Sequence, residues 1–130
     1  MTLARSPRLI RAVIVSACLA AAGLAGAQSS PAATKACSAP QYPDSRLGGY
    51  FTSVQTTNLS CSKARRLVLA YYKCRRKKGV KGSCSGKTVN GLKCTEKRPP
   101  ESQSALELNA KVTCRKGSKK VVHTYQQNLR

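Results

Sequence analysis

His123 is the only histidine in the chain, and Asp44, Glu96, Glu101 and Glu107 are its only acids. Small secreted ribonucleases pair a histidine with a carboxylate and an arginine for general acid–base work, so these residues come first. Whether a carboxylate reaches His123 depends on residues 106–126. There Leu106, Leu108, Ala110, Val112 and Cys114 alternate with Glu107, Asn109, Lys111, Thr113 and Arg115, the period-two pattern of a strand with one buried face. Gly117-Ser118 suits a two-residue II′ turn, and Lys120 to Gln126 reads as the returning strand. Lys116 then faces Lys119, Cys114 faces Val121, Val112 faces His123 and Ala110 faces Tyr125. This register turns His123 inward and Glu107 outward, and only a one-residue slip would unite them. Glu96 and Glu101 fall in a surface loop, Glu96 to Ser104, and stay open as partners. No nucleophile elbow, paired-carboxylate spacing or phosphate-cradling glycine loop is visible. The expectation is a histidine packed under a helix with one hydrogen bond, in a protein that is not an enzyme. The alternative is a small secreted nuclease or toxin using His123.

The other reactive residues are seven cysteines. Cys37, Cys61, Cys74, Cys84, Cys94 and Cys114 show no C-x-x-C spacing, and one histidine cannot complete a Cys₂His₂ site. Neither a metal nor a cofactor is expected. Structural disulfides are, and spacing alone does not choose among the pairings. Cys74 with Cys84 is favoured, because a helix end and a nearby loop are easily joined. Cys37 is expected to staple an N-terminal arm to the domain.

The seventh cysteine, Cys18, lies in a different kind of sequence. Arg5, Arg8 and Arg11 precede an apolar run from Ala12 to Leu24, and Ala25-Gly26-Ala27 supplies small residues for a cut. Residues 1–27 therefore read as a signal peptide, implying a secreted or cell-envelope protein in which disulfides persist. Val15-Ser16-Ala17-Cys18 also looks like a lipobox, which makes lipid attachment at Cys18 the lesser reading. No later apolar run approaches the ~20 residues of a membrane helix. Asn58-Leu59-Ser60 matches a glycosylation sequon, a motif common by chance.

Taking Arg5, Arg8 and Arg11 from the 24 basic residues leaves 21 against four acids, a balance of +17 (21 − 4). Such a charge repels itself and draws the chain toward anionic polymers and surfaces. With one Phe and no Trp the core is thin, and crosslinks of about 2–4 kcal/mol each would offset the repulsion. The candidate contacts are Arg65, Arg66, Lys73, Arg75, Arg76, Lys77, Lys78 and Lys81, with Lys116, Lys119 and Lys120 as a second patch. Part of the run at 75–78 has a structural reason, since cations are favoured at a helix C-terminus. The remainder calls for an anionic partner: a cell-envelope polymer, a nucleic acid or an acidic glycan. Nucleic acid draws thin support, because single-strand binders need exposed aromatics, and only Tyr50, Phe51 and Tyr72 are available. A protein-binding inhibitor using Lys97 to Glu101 is a further alternative.

Positioning these residues requires few elements. Residues 28–46 are rich in Ser, Ala and Pro and read as an extended arm. The basic domain is expected at 47–130, opening with a strand over Tyr50–Thr56. A helix capped by Ser60 or Ser62 runs to about Lys77, burying Ala64, Leu67, Val68, Tyr71 and Cys74. Thr88 to Cys94 reads as a strand, although Asn90-Gly91 equally suits a tight turn. The fold class is α+β: one helix across a small antiparallel sheet, ordered strand, helix, three-strand meander, and stapled by disulfides.

Ser60-Cys61 before Ala64-Arg65-Arg66-Leu67-Val68, Tyr71-Tyr72-Lys73-Cys74, Gly91-Leu92-Lys93-Cys94, and Val112-Thr113-Cys114-Arg115-Lys116-Gly117 ending in Val121-Val122-His123-Thr124-Tyr125 form a connected pattern. It resembles a group of small secreted actinobacterial proteins with a Ser-Cys before a basic helix, a Gly-aromatic-x-Cys strand and a Val-x-Cys-x-x-Gly hairpin. The likeness covers about residues 48–126. It implies a secreted α+β disulfide domain and brings no activity or site residues. Leu92 stands where the group has an aromatic, and Cys37 and Cys84 are additions that imply extra crosslinks.

Overall fold

Strands that bury every second residue over most of their length build one sheet, and a single 3.6-period segment covers one of its faces. The computed structural model describes residues 32–44 and 46–130. The expected signal peptide, its lipobox reading and the first residues of the arm lie outside the described residues. The strands are β1 (Thr34–Cys37), β2 (Gly49–Thr57), β3 (Thr88–Val89), β4 (Leu92–Lys97), β5 (Glu107–Lys116) and β6 (Lys119–Asn128), and the helix is α1 (Cys61–Arg76). All strands join one antiparallel sheet in the order β1-β2-β6-β5-β4-β3. The α+β class read from the sequence is the observed one.

The β5–β6 hairpin has the expected register: Lys116 opposite Lys119, Cys114 opposite Val121, Val112 opposite His123 and Ala110 opposite Tyr125. Gly117, at φ 55°, takes the left-handed position that a II′ turn requires. Of the two readings of residues 88–94 the tight turn is the observed one. Asn90 (φ 46°) and Gly91 (φ 80°) divide the expected strand into β3 and the start of β4 and make the last part of the sheet four strands rather than three. Strand β4 continues to Lys97, so Glu96 leaves the expected loop and becomes a strand residue. The arm also differs from expectation. Thr34–Cys37 pairs with Thr57–Val54 and becomes the sheet's edge strand.

A bulge between Phe51 and Ser53 has a packing cause. Phe51 and Val54 are both buried although three residues apart, an odd spacing that a regular strand would send to opposite faces. Past the end of β4, the side chain of Gln103 stands in for a strand. Its Nε2 donates to Asn109 O at 2.7 Å and its Oε1 accepts from Asn109 N at 3.1 Å.

Ser60 caps α1, its hydroxyl accepting from Lys63 N at 3.3 Å. The helix buries Ala64, Leu67, Val68 and Tyr71 as the periodicity predicts, and also Tyr72 and Arg75. These pack on Phe51, Val54, Val112, Val121 and Tyr125 of the sheet. Beyond the helix the chain doubles back so closely that a Cβ on Gly82 would lie 2.1 Å from Arg75 O, which reserves that position for glycine. Three disulfides close the structure. Cys37–Cys61 ties β1 to the start of α1, Cys74–Cys84 ties its last turn to the following loop, and Cys94–Cys114 joins β4 to β5. The Cys74–Cys84 pair and the stapling of the arm by Cys37 are as expected.

Candidate functional site

His123 is fully buried, with Tyr71, Phe51 and Tyr125 rings at 5.6, 6.1 and 6.4 Å between centroids. The expected single hydrogen bond is not formed: neither ring nitrogen has a partner among the described residues. Burial, with the Arg75 guanidinium adding to it, pulls its pKa down to about 3. The imidazole is therefore neutral across the ordinary pH range.

The carboxylate nearest in the sheet is Glu96, which sequence reasoning assigned to a loop. Glu96 pairs with Val112, and Val112 pairs with His123, so the two side chains share one row of the sheet's inner face. Tyr71 stands between them. Its ring packs on His123 while its hydroxyl donates to Glu96 Oε2 at 2.5 Å. Burial and the Glu96 carboxylate both raise the Tyr71 pKa. Glu96 Oε1 accepts from Arg98 Nε at 2.5 Å, and Arg98 also donates to the carbonyls of Lys81 and Gly82, each at 2.9 Å. With the Glu96 side chain only 2% exposed, this histidine–tyrosine–carboxylate row is a buried structural network with no solvent face. Glu107 lies on the outer face, as expected, and Glu101 is exposed on a short 3₁₀ turn (Pro100–Ser102).

The structure corrects the candidate cations. Arg75 is 1% exposed and cannot touch a partner. Its Nη2 donates to Gln127 Oε1 at 2.8 Å and to Tyr42 Oη at 2.5 Å, and its Nη1 donates to Val80 O at 3.1 Å. Its guanidinium lies 4.3 Å from the Tyr125 ring centre and 5.2 Å from that of Tyr72. A buried arginine without a carboxylate is tolerated because neutral acceptors and aromatic faces replace its water. Burial, only partly offset by Arg75, pushes the Tyr42 pKa up to about 12. Arg76 is also engaged, bridging to Asp44 at 2.9 Å, while Arg65 donates to Ser38 Oγ at 2.9 Å. Tyr72 and Phe51, considered as stacking platforms, are buried, whereas Tyr50 is 51% exposed.

The remaining candidates reach solvent. Arg66, Lys73 and Lys77 are exposed, and their spacing of seven and four residues sets them along one ridge of α1 opposite its buried face. Lys78 and Lys81, in the loop beyond the helix, are also exposed. The hairpin patch is split by the pleat: Lys116 pairs with Lys119, while Lys120, next along the strand, joins Arg115 on the opposite face. Arg115 also pairs with Lys93, so Lys93, Arg115 and Lys120 form one row across three strands. Lys97 opposite Lys111 forms a second row. These rows were not visible in the sequence, because they exist only once register is fixed.

Among the described residues no three His, Cys, Asp or Glu side chains are placed to hold a metal, and no helix is long and apolar enough to cross a membrane. Comparison with family models, with curated proteins and with solved structures finds no match to this chain.

Proposed function

We propose that this protein is an exported, non-enzymatic binding domain for an anionic polymer, held through the cations of the helix ridge and the loop after it. The observation that supports this most is the fate of the acids. Asp44 and Glu96 are drawn into ion pairs with Arg76 and Arg98, their side chains 7% and 2% exposed. Only Glu101 and Glu107 remain to offset the exposed lysines and arginines. Ion pairing within the fold therefore does not account for the charge outside it, whereas an anionic partner does. Three disulfides fit an oxidising compartment. His123 has no solvent access through which to serve a nuclease, which favours binding over turnover.

Binding to a polyol-phosphate chain tests the proposal. With Arg66, Lys73, Lys77, Lys78 and Lys81 each meeting a phosphate, log affinity falls against log salt with a slope of about −4. Glutamine at Arg66, Lys73 and Lys77 makes the slope shallower by about 2. An affinity that does not respond to salt contradicts the proposal.

A further inference from the structure

Among the described residues no α-helix covers the face of the sheet turned away from α1, although the turn at 99–102 borders it beside Asn109 and Lys111. The cations of this face form rows. Lys93, Arg115 and Lys120 stand side by side on adjacent strands, about 5 Å apart. Lys97 and Lys111 stand four residues away along β4 and β5, about 13 Å from that row. Between the two rows lies a strip carrying Thr95 and Thr113, cross-strand partners whose side chains share this face. None of the five cations is within bonding distance of an acid among the described residues. Among the strand acids Glu107 is on this face, four residues beyond Lys111 along β5, and Glu101 is exposed on the turn that borders it.

The helix ridge and this face are on opposite sides of a two-layer domain. A linear chain lying along one cannot reach the other without wrapping around the sheet. We propose that the molecule is a two-sided bridge: it docks one polyanion chain on the helix ridge and a second on the cationic rows of the outer sheet face. This rests on the function proposed above and goes beyond it, from binding to cross-linking.

The chemistry of the outer face favours a polyol-phosphate chain as its occupant. Four of its five cations are lysines, whose ammonium point charges can each meet one phosphate along a flexible chain. Between the rows, beside Val122, the Thr113 hydroxyl and the Thr95 hydroxyl, which donates to Thr113 O at 3.3 Å and can still accept, suit polyol hydroxyls. Tyr50 is the one strongly exposed aromatic among the described residues, too little for the base stacking that single-stranded nucleic acid binding uses.

Light scattering of the oxidised full-length protein mixed with long poly(glycerol phosphate), alongside affinity for a short fragment of the same polymer, tests this. The wild-type protein is expected to bind the fragment and to raise scattering from the long chain at least tenfold. K93Q/R115Q/K120Q should lose most of that rise while keeping fragment binding within about tenfold, and R66Q/K73Q/K77Q should lose most of it with fragment binding reduced to that of the outer face alone. K35Q/K87Q/R130Q removes as many charges elsewhere and should still cross-link, as should K93R/K120R. Circular dichroism confirms that each variant is folded. Fragment binding without cross-linking by the wild-type protein overturns the bridge and leaves the binding proposal standing. Failure to bind the fragment at all overturns both. Equal cross-linking by all variants reduces the effect to bulk charge and also overturns the bridge. Stronger cross-linking of single-stranded DNA than of poly(glycerol phosphate) rejects the polyol-phosphate occupant.

Discussion

The two faces of one sheet use the same residue types in opposite ways. On the inner face, Arg75 is enclosed with Glu96, His123 and three tyrosines, Arg98 closes over Glu96 from the rim, and each cation is held by specific acceptors or rings. On the outer face, Lys93, Lys97, Lys111 and Arg115 stand exposed with no acid paired to them among the described residues. The inner cations organise the fold, because a charge taken out of water fixes the position of every group that must satisfy it. The outer ones strain the fold, because they repel one another. A small core tolerates that strain through its disulfides.

Breaking the inner layer should have the largest effect. Full reduction removes three crosslinks of about 2–4 kcal/mol each, and cooperative thermal unfolding should be lost or fall by tens of degrees. An unchanged melt after reduction and capping would show that packing alone carries the domain. Next comes Arg75→Ala, which empties a buried site and strands Gln127 and Tyr42. It should cost about 4 kcal/mol in denaturant unfolding, whereas Arg76→Ala, whose side chain is 27% exposed but whose loss leaves Asp44 unpaired, should cost about 2 kcal/mol.

Acid should weaken the inner layer through His123. Unfolded, this histidine protonates near pH 6.5; folded, burial and Arg75 hold its pKa to about 3. The folded pKa is the lower one, so its contribution is complete above pH 6.5 and declines as pH falls toward 3. By pH 4 the loss should be roughly 3 kcal/mol. In His123→Leu the pH slope of stability between 6.5 and 4 should flatten, and a slope equal to wild type would mean the imidazole is accessible. Smallest of all, K111Q or K97Q on the outer face should change stability by less than about 0.5 kcal/mol. A larger loss would assign those lysines a structural part.

The local patterns that set element type were legible in the sequence. Leu108, Ala110, Val112 and Cys114 with the Gly117-Ser118 turn determined the β5–β6 register, and with it the inward direction of His123, whereas Leu106, expected on the same buried face, precedes β5 and is exposed. What the sequence left hidden is contact between distant segments. Arg75 and Arg76 are neighbours in a basic run, yet one is buried against Gln127 and the other bridges to Asp44. One signal lay in the helix itself, since Arg75 follows Ala64, Leu67, Val68 and Tyr71 at helical spacing and so continues the buried stripe. Glu96 was hidden because prolines at 99 and 100 suggested an early loop, while pairing with β5 extends β4 through Lys97. The arm became a strand for a similar reason. Its composition carries no strand signal, and the open edge of β2, with the Cys37–Cys61 bond nearby, supplies the order.

Covalent labelling tests the division of cations most directly, with arginine- and lysine-directed reagents on the native, oxidised protein and readout by peptide mass. Arg66, Arg115, Lys73, Lys77, Lys93 and Lys111 should react readily, and Arg75 should stay unmodified until the protein is reduced and unfolded. Adding poly(glycerol phosphate) should then slow labelling on the helix ridge and on the outer sheet face. If Arg75 labels as fast as Arg66 in the native protein, or the polymer leaves every rate unchanged, the account is contradicted.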